Sequence, residues 1–171
     1  MKKNKKILLI SGTSKGLGKD LSKYLFKKNF IVFGCSRSKT KLNSKFYNHS
    51  VFDINSEIET RKWVETIYKK HKRIDYLINN VAMIPTSYPS ILNNKELVLK
   101  VFKTNVVSQI NLINEVGKKM VKKNFGRIIS FSTMAVGLLE EGTSLYSSSK
   151  SSIDTYSKIV SKELAKANIT C

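Results

Sequence analysis

The amino-acid sequence predicts an α/β fold, a doubly wound parallel sheet with helices on both faces. Short apolar runs alternate with amphipathic helical segments at nearly regular intervals along the 171 residues. The first run, residues 7–10, leads directly into a glycine-rich turn and the start of a helix. Since parallel strands need crossover connections that place helices against the sheet, this alternation predicts three layers. No repeat or linker separates the elements, so residues 1–171 are predicted to form one domain.

Each predicted element rests on its own local pattern. Strands are predicted where apolar residues run nearly continuously, at 7–10, 30–33, 50–53, 74–78 and 127–131. Helices are predicted where apolar residues recur at spacings of three and four, at about 17–25, 57–68, 94–122 and 146–166. The helix over 94–122 is expected to be one long or kinked element that Gly126 terminates.

The excess of basic residues raises the question of an anionic partner. The chain carries 31 lysines and arginines against 12 aspartates and glutamates, a net charge of +19. Its lysines are dispersed in pairs over predicted helix surfaces, without the interleaved aromatic residues that stack on bases. We therefore expect no specific nucleic-acid partner, and a basic nucleic-acid-binding protein stays an alternative.

The apolar segments and the cysteines predict a cytoplasmic protein without a membrane partner. No apolar run approaches the roughly 18 residues of a membrane helix. Only four apolar residues follow the basic N-terminus, whereas the apolar region of an export signal needs about seven. Cys35 and Cys171 suggest no disulfide framework, and no metal site is predicted.

Residues 11–18, Ser-Gly-Thr-Ser-Lys-Gly-Leu-Gly, have the composition of a phosphate-binding turn between a strand and a helix. Gly12 would permit the tight turn, Gly16 would let a pyrophosphate approach the backbone, and Gly18 would let helix and strand pack closely. The free N–H groups at the helix start would then face the phosphates. The spacing G-x-x-x-G-x-G is a weak signal alone, so its meaning depends on motifs further along the chain.

Three later motifs extend this signal, and with them the chain resembles the short-chain dehydrogenase/reductase family over its whole length. Residues 11–18 resemble the TGxxxGxG turn of that family, and Asp53 resembles its acidic residue after the third strand. Residues 79–82, Asn-Asn-Val-Ala, resemble the NNAG element after the fourth strand, with valine and alanine in place of alanine and glycine. Residues 146–150 match its YxxxK motif.

The spacing between motifs selects one tyrosine. Tyr24 and Tyr68 also satisfy YxxxK in this lysine-rich chain. In the family a hydroxyl residue precedes the tyrosine by about 13 positions, and an asparagine precedes that hydroxyl by about 28. Counting back from Tyr146 gives Thr133 and then Asn105.

The resemblance implies a role for each of these residues. Tyr146 would exchange a proton with the substrate oxygen, and Lys150 would hold the nicotinamide ribose. Thr133 would hydrogen-bond the substrate oxygen, with Ser132 as the alternative hydroxyl, and Asn105 would fix a water in a proton relay. A lysine ammonium about 4 Å from a phenol favours the phenolate by about 4 kcal/mol at an effective dielectric constant of about 20. We therefore expect Lys150 to lower the pKa of Tyr146.

The segment after the second strand indicates the cofactor. A carboxylate there would bind the ribose 2′-hydroxyl of NAD, but Cys35-Ser36-Arg37-Ser38 offers a guanidinium instead. Arg37 and Lys15 suit a 2′-phosphate, which favours NADP over NAD. The residues expected to contact the cofactor are Gly12, Ser14, Lys15, Gly16, Leu17, Gly18, Arg37, Asp53, Asn79, Tyr146 and Lys150.

We interpret the chain as an NADP(H)-dependent oxidoreductase that interconverts a small carbonyl compound and an alcohol. The alternative within the same fold is a non-catalytic nucleotide-binding remnant. The resemblance implies a Rossmann-type sheet with strand order 3-2-1-4-5 and a homodimer or homotetramer. Because the chain ends at Cys171, where the family's sixth strand begins, the C-terminal strands are expected to be missing and the domain incomplete there.

Overall fold

The structure, a computed structural model, describes residues 5–87 and 89–171, and within them six parallel strands form one sheet. The strands are β1 Lys6–Ser11, β2 Phe30–Ser36, β3 Tyr47–Val51, β4 Tyr76–Asn79, β5 Gly126–Ser130 and β6 Ile169–Thr170. Their order is β3-β2-β1-β4-β5-β6. The order reverses direction between β1 and β4, and ligands of open α/β sheets bind at the carboxyl ends of the strands at such a point.

Helices connect the strands. They are α1 Gly16–Leu25, α2 Glu57–His71, α3 Lys95–Phe102, α4 Ser108–Val121, α5 Ala135–Leu138 and α6 Ser144–Leu164. A single π-helical stretch, Lys103–Val107, joins α3 to α4, and short 3₁₀ turns lie at Ser90–Leu92 and Ala165–Ala167. The segment predicted to be helical over 94–122 is therefore helical, and the π-helical stretch divides it into α3 and α4.

Strand β1 has apolar layers on both of its faces. Ile7 and Leu9 belong to the cluster that packs under α2, α4 and α6, and Leu8 and Ile10 belong to the cluster that packs under α1. These four side chains are at most 2% exposed. A strand buried on both faces is a continuous apolar run, which explains why the sequence identified β1 and confirms the three-layer prediction.

The third strand begins three residues earlier than predicted. The sequence placed it at 50–53, whereas β3 spans Tyr47–Val51. Only Tyr47 in this strand is fully buried, so its sequence does not show the apolar run by which the other strands were recognised.

The prediction that the sheet stops at five strands was wrong. Ile169 and Thr170 form β6, which pairs with Gly126 and Arg127 of β5. Ile169 is 2% exposed and joins the larger apolar cluster beneath α6. A strand of two residues has no periodicity of its own, so its pairing depends on β5 and on the helix that precedes it.

Candidate active site

The predicted site residues converge where β1, β4 and β5 end. Ile10 lies opposite Ile78, and Ile78 lies opposite Ile129, so the three strands end at nearly the same level. The glycine turn follows β1, the asparagine pair closes β4, and the segment with Thr133 follows β5. This edge of the sheet is therefore the candidate active site.

The glycine turn has the backbone geometry that its sequence predicts. Gly12 and Gly16 have φ angles of +77° and +56°, a region that residues with a Cβ rarely adopt. A Cβ on Gly18 would lie 2.2 Å from the carbonyl oxygen of Gly12, so only glycine lets α1 pack this closely against the turn.

The first turn of α1 is open to an anion. Its N-cap residue, Lys15, makes no side-chain capping hydrogen bond, and the first turn contains no acidic residue. A Cβ on Gly16 would meet nothing within 4 Å, so a ligand has access to this backbone. Uncapped N–H groups and the helix dipole favour a phosphate here, so the residues present fit the pyrophosphate of a dinucleotide.

The two asparagines at the end of β4, Asn79 and Asn80, have different environments. Asn80 donates from Nδ2 to the carbonyl oxygens of Ser11 at 3.0 Å and Gly12 at 3.2 Å. Asn79 is 1% exposed and donates to Ser130 Oγ at 3.5 Å, while its buried Oδ1 has no partner among the described residues. A buried acceptor without a donor fits a ligand group, as predicted for Asn79. The sequence reasoning quoted Asn80 in the motif but missed its structural role.

Asn105 lies in the π-helical stretch and is completely buried. Its Oδ1 accepts from the backbone N–H of Met83 at 2.7 Å, and its Nδ2 donates to the Met83 carbonyl at 2.9 Å and to Ser149 Oγ at 3.0 Å. Ser149 donates in turn to the carbonyl of Tyr146 at 2.7 Å. Asn105 thus joins the loop after β4 to the helical turn that carries Tyr146.

Thr133 and Ser132 point to different partners. Ser132 donates to Asp154 Oδ2 at 2.8 Å. The Thr133 hydroxyl lies beside the half-buried phenol of Tyr146. Burial raises the pKa of Tyr146 above its ordinary value, and the neighbouring Thr133 hydroxyl opposes part of that shift. Of the two hydroxyls, Thr133 is therefore the one adjacent to the tyrosine.

Lys150 is 2% exposed, and its Nζ donates to the carbonyl oxygen of Phe131. Burial lowers the pKa of Lys150, and the charge of Asp154 opposes this shift. The sequence led us to expect that Lys150 lowers the pKa of Tyr146, and the direction found is the opposite. The physical reason is that burial dominates at the phenol, while the ammonium is directed to a backbone carbonyl.

The remaining predicted contact residues lie around the glycine turn, after β2 and after β3. Lys15, Leu17 and Arg37 are exposed, and Ser14 is half-buried. Asp53 Oδ1 accepts from the backbone N–H of Asn55 at 3.0 Å, so this carboxylate shapes the turn before α2.

Within residues 5–87 and 89–171, none of the helices combines the length and the apolar character needed to cross a membrane.

Comparison with known proteins decides the family. The family model described as short chain dehydrogenase matches residues 6–171. The chain belongs to the short-chain dehydrogenase family. The resemblance drawn from the four motifs is thereby confirmed, and the family is one of oxidoreductases.

Several curated relatives in this family are named reductases. A 3-oxoacyl-(acyl-carrier-protein) reductase of Buchnera aphidicola is 30% identical, over 98% of this chain and 70% of the relative. An NADPH-dependent pterin aldehyde reductase of Arabidopsis thaliana is 30% identical, over 93% of this chain and 69% of the relative. A 3-ketodihydrosphingosine reductase of Bacteroides thetaiotaomicron is 31% identical, and this chain covers 58% of it.

Solved structures of the family share the fold. A short-chain dehydrogenase from Streptomyces avermitilis superposes with a TM-score of 0.90 at 19% identity, over 97% of this chain and 63% of that one. A structure of ElxO with NADP bound gives a TM-score of 0.91 at 23% identity, over 96% of this chain and 70% of that one. The observed strand order therefore agrees with a short-chain dehydrogenase fold.

Replacing Gly16 by alanine separates stability from ligand binding at the turn. We expect Gly16→Ala to lower the free energy of unfolding by about 1–2 kcal/mol, the cost of a left-handed backbone with a Cβ. The methyl group has space but occupies the approach to the helix N-terminus, so dinucleotide affinity should fall at least about tenfold, or about 1.4 kcal/mol. Urea denaturation and fluorescence titration with NADPH measure the two effects.

The matched control is Gly117→Ala in α4, where the nearest atom to a new Cβ is Leu164 Cδ1 at 3.8 Å. It should leave dinucleotide affinity unchanged. If the Gly16 variant binds as tightly as the control, the turn is not the pyrophosphate site.

Proposed function

We propose that the chain is an NADP(H)-dependent oxidoreductase that interconverts a carbonyl and an alcohol, with Tyr146 as proton donor and acceptor. The observation that carries the proposal is the arrangement of Tyr146. Its phenol is half-buried beside the Thr133 hydroxyl, one helical turn before the buried Lys150. These groups lie at the strand ends that the glycine turn also borders.

In the reduction, Tyr146 donates its proton to the substrate oxygen as negative charge develops there. The Thr133 hydroxyl donates a hydrogen bond to the same oxygen and holds it in place. The nicotinamide, when bound, supplies the hydride to the carbonyl carbon. The phenolate that remains on Tyr146 then regains a proton from solvent.

Lys150 and Asn105 support this exchange. An ammonium has three donors, and Lys150 uses one of them on the Phe131 carbonyl. We propose that the other two bind ribose hydroxyls of the cofactor, as the family resemblance implies. Asn105 holds the turn that carries Tyr146 through Ser149, and we retain its role in a water relay as part of the proposal.

NADP(H) is the proposed cofactor. Arg37 follows β2 directly, and residues 35–38 contain no carboxylate to select the ribose 2′-hydroxyl of NAD. Lys15 adds a second exposed cation next to Gly16. The NADPH-dependent pterin aldehyde reductase among the relatives agrees with this choice.

The Tyr146→Phe variant tests the mechanism. Removing the proton donor should lower kcat for carbonyl reduction by about 10²–10⁴-fold, while NADPH affinity stays within about twofold because the ring is kept. The assay follows NADPH oxidation with a panel of carbonyls that begins with a 3-oxoacyl thioester, since several relatives are named 3-oxoacyl reductases.

The control is Tyr24→Phe, which removes an exposed phenol from another YxxxK match. It should keep full activity. NADPH binding without turnover of any carbonyl would favour the non-catalytic remnant. If the chain does not bind NADPH but binds oligonucleotides with an affinity that falls as salt rises, the nucleic-acid-binding alternative is favoured.

The pH dependence follows from the direction of the Tyr146 shift. Burial holds its pKa above the ordinary value of about 10, so the phenol stays protonated throughout the neutral range. We expect kcat/KM for reduction, which reports the free enzyme, to be flat from about pH 7 to 9 and to fall above about pH 10. A decline centred near pH 7 would show that the phenol ionises earlier and would contradict this direction.

We further propose a cytoplasmic homodimer or homotetramer that uses α4 and α6, as the family resemblance implies. A groove of about 280 Å³ separates these helices. Val121 at its edge is 46% exposed, and Ile159 of α6 is 51% exposed. Light scattering should give two or four times the mass of the chain, and a monomer at micromolar concentration would contradict the proposal.

A further inference from the structure

A group of polar side chains joins the glycine turn to the segment after β2. His49 Nδ1 lies 3.1 Å from Thr13 Oγ1 and 2.9 Å from the Tyr47 hydroxyl. On the other side of the ring, Nε2 lies 3.0 Å from the Ser38 carbonyl oxygen and 3.2 Å from Ser36 Oγ. The ring of His49 therefore bridges two segments that are distant in sequence.

The chemistry of the partners gives each hydrogen bond a direction. A carbonyl oxygen only accepts, so His49 Nε2 carries the proton that goes to Ser38. In the neutral ring Nδ1 then accepts. Thr13 Oγ1 accepts a hydrogen bond from the Tyr47 hydroxyl at 2.9 Å, which leaves its own hydroxyl hydrogen to donate to Nδ1. Burial raises the pKa of Tyr47, which keeps this hydroxyl a donor. Ser36 adds a bond of 2.8 Å to the same Ser38 carbonyl.

Gly34 makes this group possible. It lies in β2, and a Cβ there would come within 2.4 Å of Thr13 Oγ1 and 2.5 Å of the Tyr47 hydroxyl. Thr13 is completely buried and Tyr47 is 8% exposed. The hydrogen bonds from β3 to the glycine turn therefore cross β2 only because this position has no side chain.

The segment that His49 holds is the one that carries Arg37. Ser36 and Ser38 flank Arg37 and both contact His49. The backbone N–H groups of Gly12 and Thr13 donate to the Cys35 carbonyl at 2.8 and 3.2 Å, so the start of this segment is tied to the glycine turn. The β2–β3 pairing holds Ser36, whose carbonyl accepts from the backbone N–H of Phe52 at 3.1 Å. His49 adds side-chain contacts to Ser36 and to Ser38, which lies beyond the end of β2.

We propose that His49 is a positioning residue for cofactor selection, which fixes Ser36–Ser38 so that Arg37 is held where a ribose 2′-phosphate binds. The inference rests on the proposed use of NADP(H). His49 acts through Arg37 and the loop backbone, so its effect should fall on NADPH and spare NADH. A role confined to holding β3 in the sheet would affect both cofactors alike.

The test compares His49→Phe with the wild-type chain. Phenylalanine keeps an aromatic ring but removes both nitrogens, so the Ser38 carbonyl keeps its bond from Ser36 and loses the one from His49. NADPH affinity, measured by fluorescence titration, should fall about five- to tenfold, as expected for one lost ordering hydrogen bond, while NADH affinity changes less than about twofold. His49→Gln can still donate to Ser38 and should lose only about two- to threefold.

Two further variants make the test specific. Asn48→Ala removes the exposed neighbour in β3 and should change neither affinity. In an Arg37→Ala background, His49→Phe should cause no further loss of NADPH affinity, since coupled residues are non-additive. Additive losses would overturn the inference.

The outcomes separate this inference from the proposed function. If the wild type binds NADPH over NADH and the His49 variants keep that ratio, the inference fails and the proposed cofactor stands. If the wild type shows no preference for NADPH, the proposed cofactor fails and the inference fails with it. Circular dichroism checks that each variant is folded. If His49→Phe does not fold, the ratio of NADPH affinity to NADH affinity in His49→Gln decides instead.

Discussion

Two asparagine side chains hold the loop after β4, and both halves of the candidate site depend on that attachment. Asn80 binds the glycine turn through the carbonyls of Ser11 and Gly12. Asn105 binds Met83 further along the same loop and reaches α6 through Ser149. The Asn80 amide donates to two carbonyls of the glycine turn, whereas the Asn105 amide donates and accepts at once and so contacts two segments. The cofactor end and the catalytic end of the crevice are thereby parts of one hydrogen-bonded unit.

Much of the fold could be predicted because its strongest determinants are local. The apolar run of β1, the glycines of the turn and the helical stripe around Trp63 each specify an element within a few residues. The catalytic candidates could be selected because Asn105, Thr133 and Tyr146 have the spacing along the chain that is typical of the family. The alternation of elements then implies that all of them reach the same edge of a parallel sheet.

What the sequence did not reveal depends on contacts between distant segments. The two residues of β6 pair only because β5 offers an open edge. The contacts of His49 with Thr13 and Ser36 join β3 to the glycine turn and to β2, and the contact with Thr13 requires Gly34 in β2. The pKa direction at Tyr146 follows from burial, whereas the sequence argument considered only the charge of Lys150. In each case the deciding interaction has no local pattern.

The π-helical stretch at Lys103–Val107 interrupts a regular helix at the position of a candidate functional residue. It holds one more residue per turn than an α-helix would, and Asn105 lies at its centre, fully buried. Deleting a single residue from it would let α3 and α4 fuse into one regular helix. Asn105 would then lose the local backbone position from which it contacts Met83 and Ser149. The irregular winding therefore makes the length of this segment as constrained as its composition.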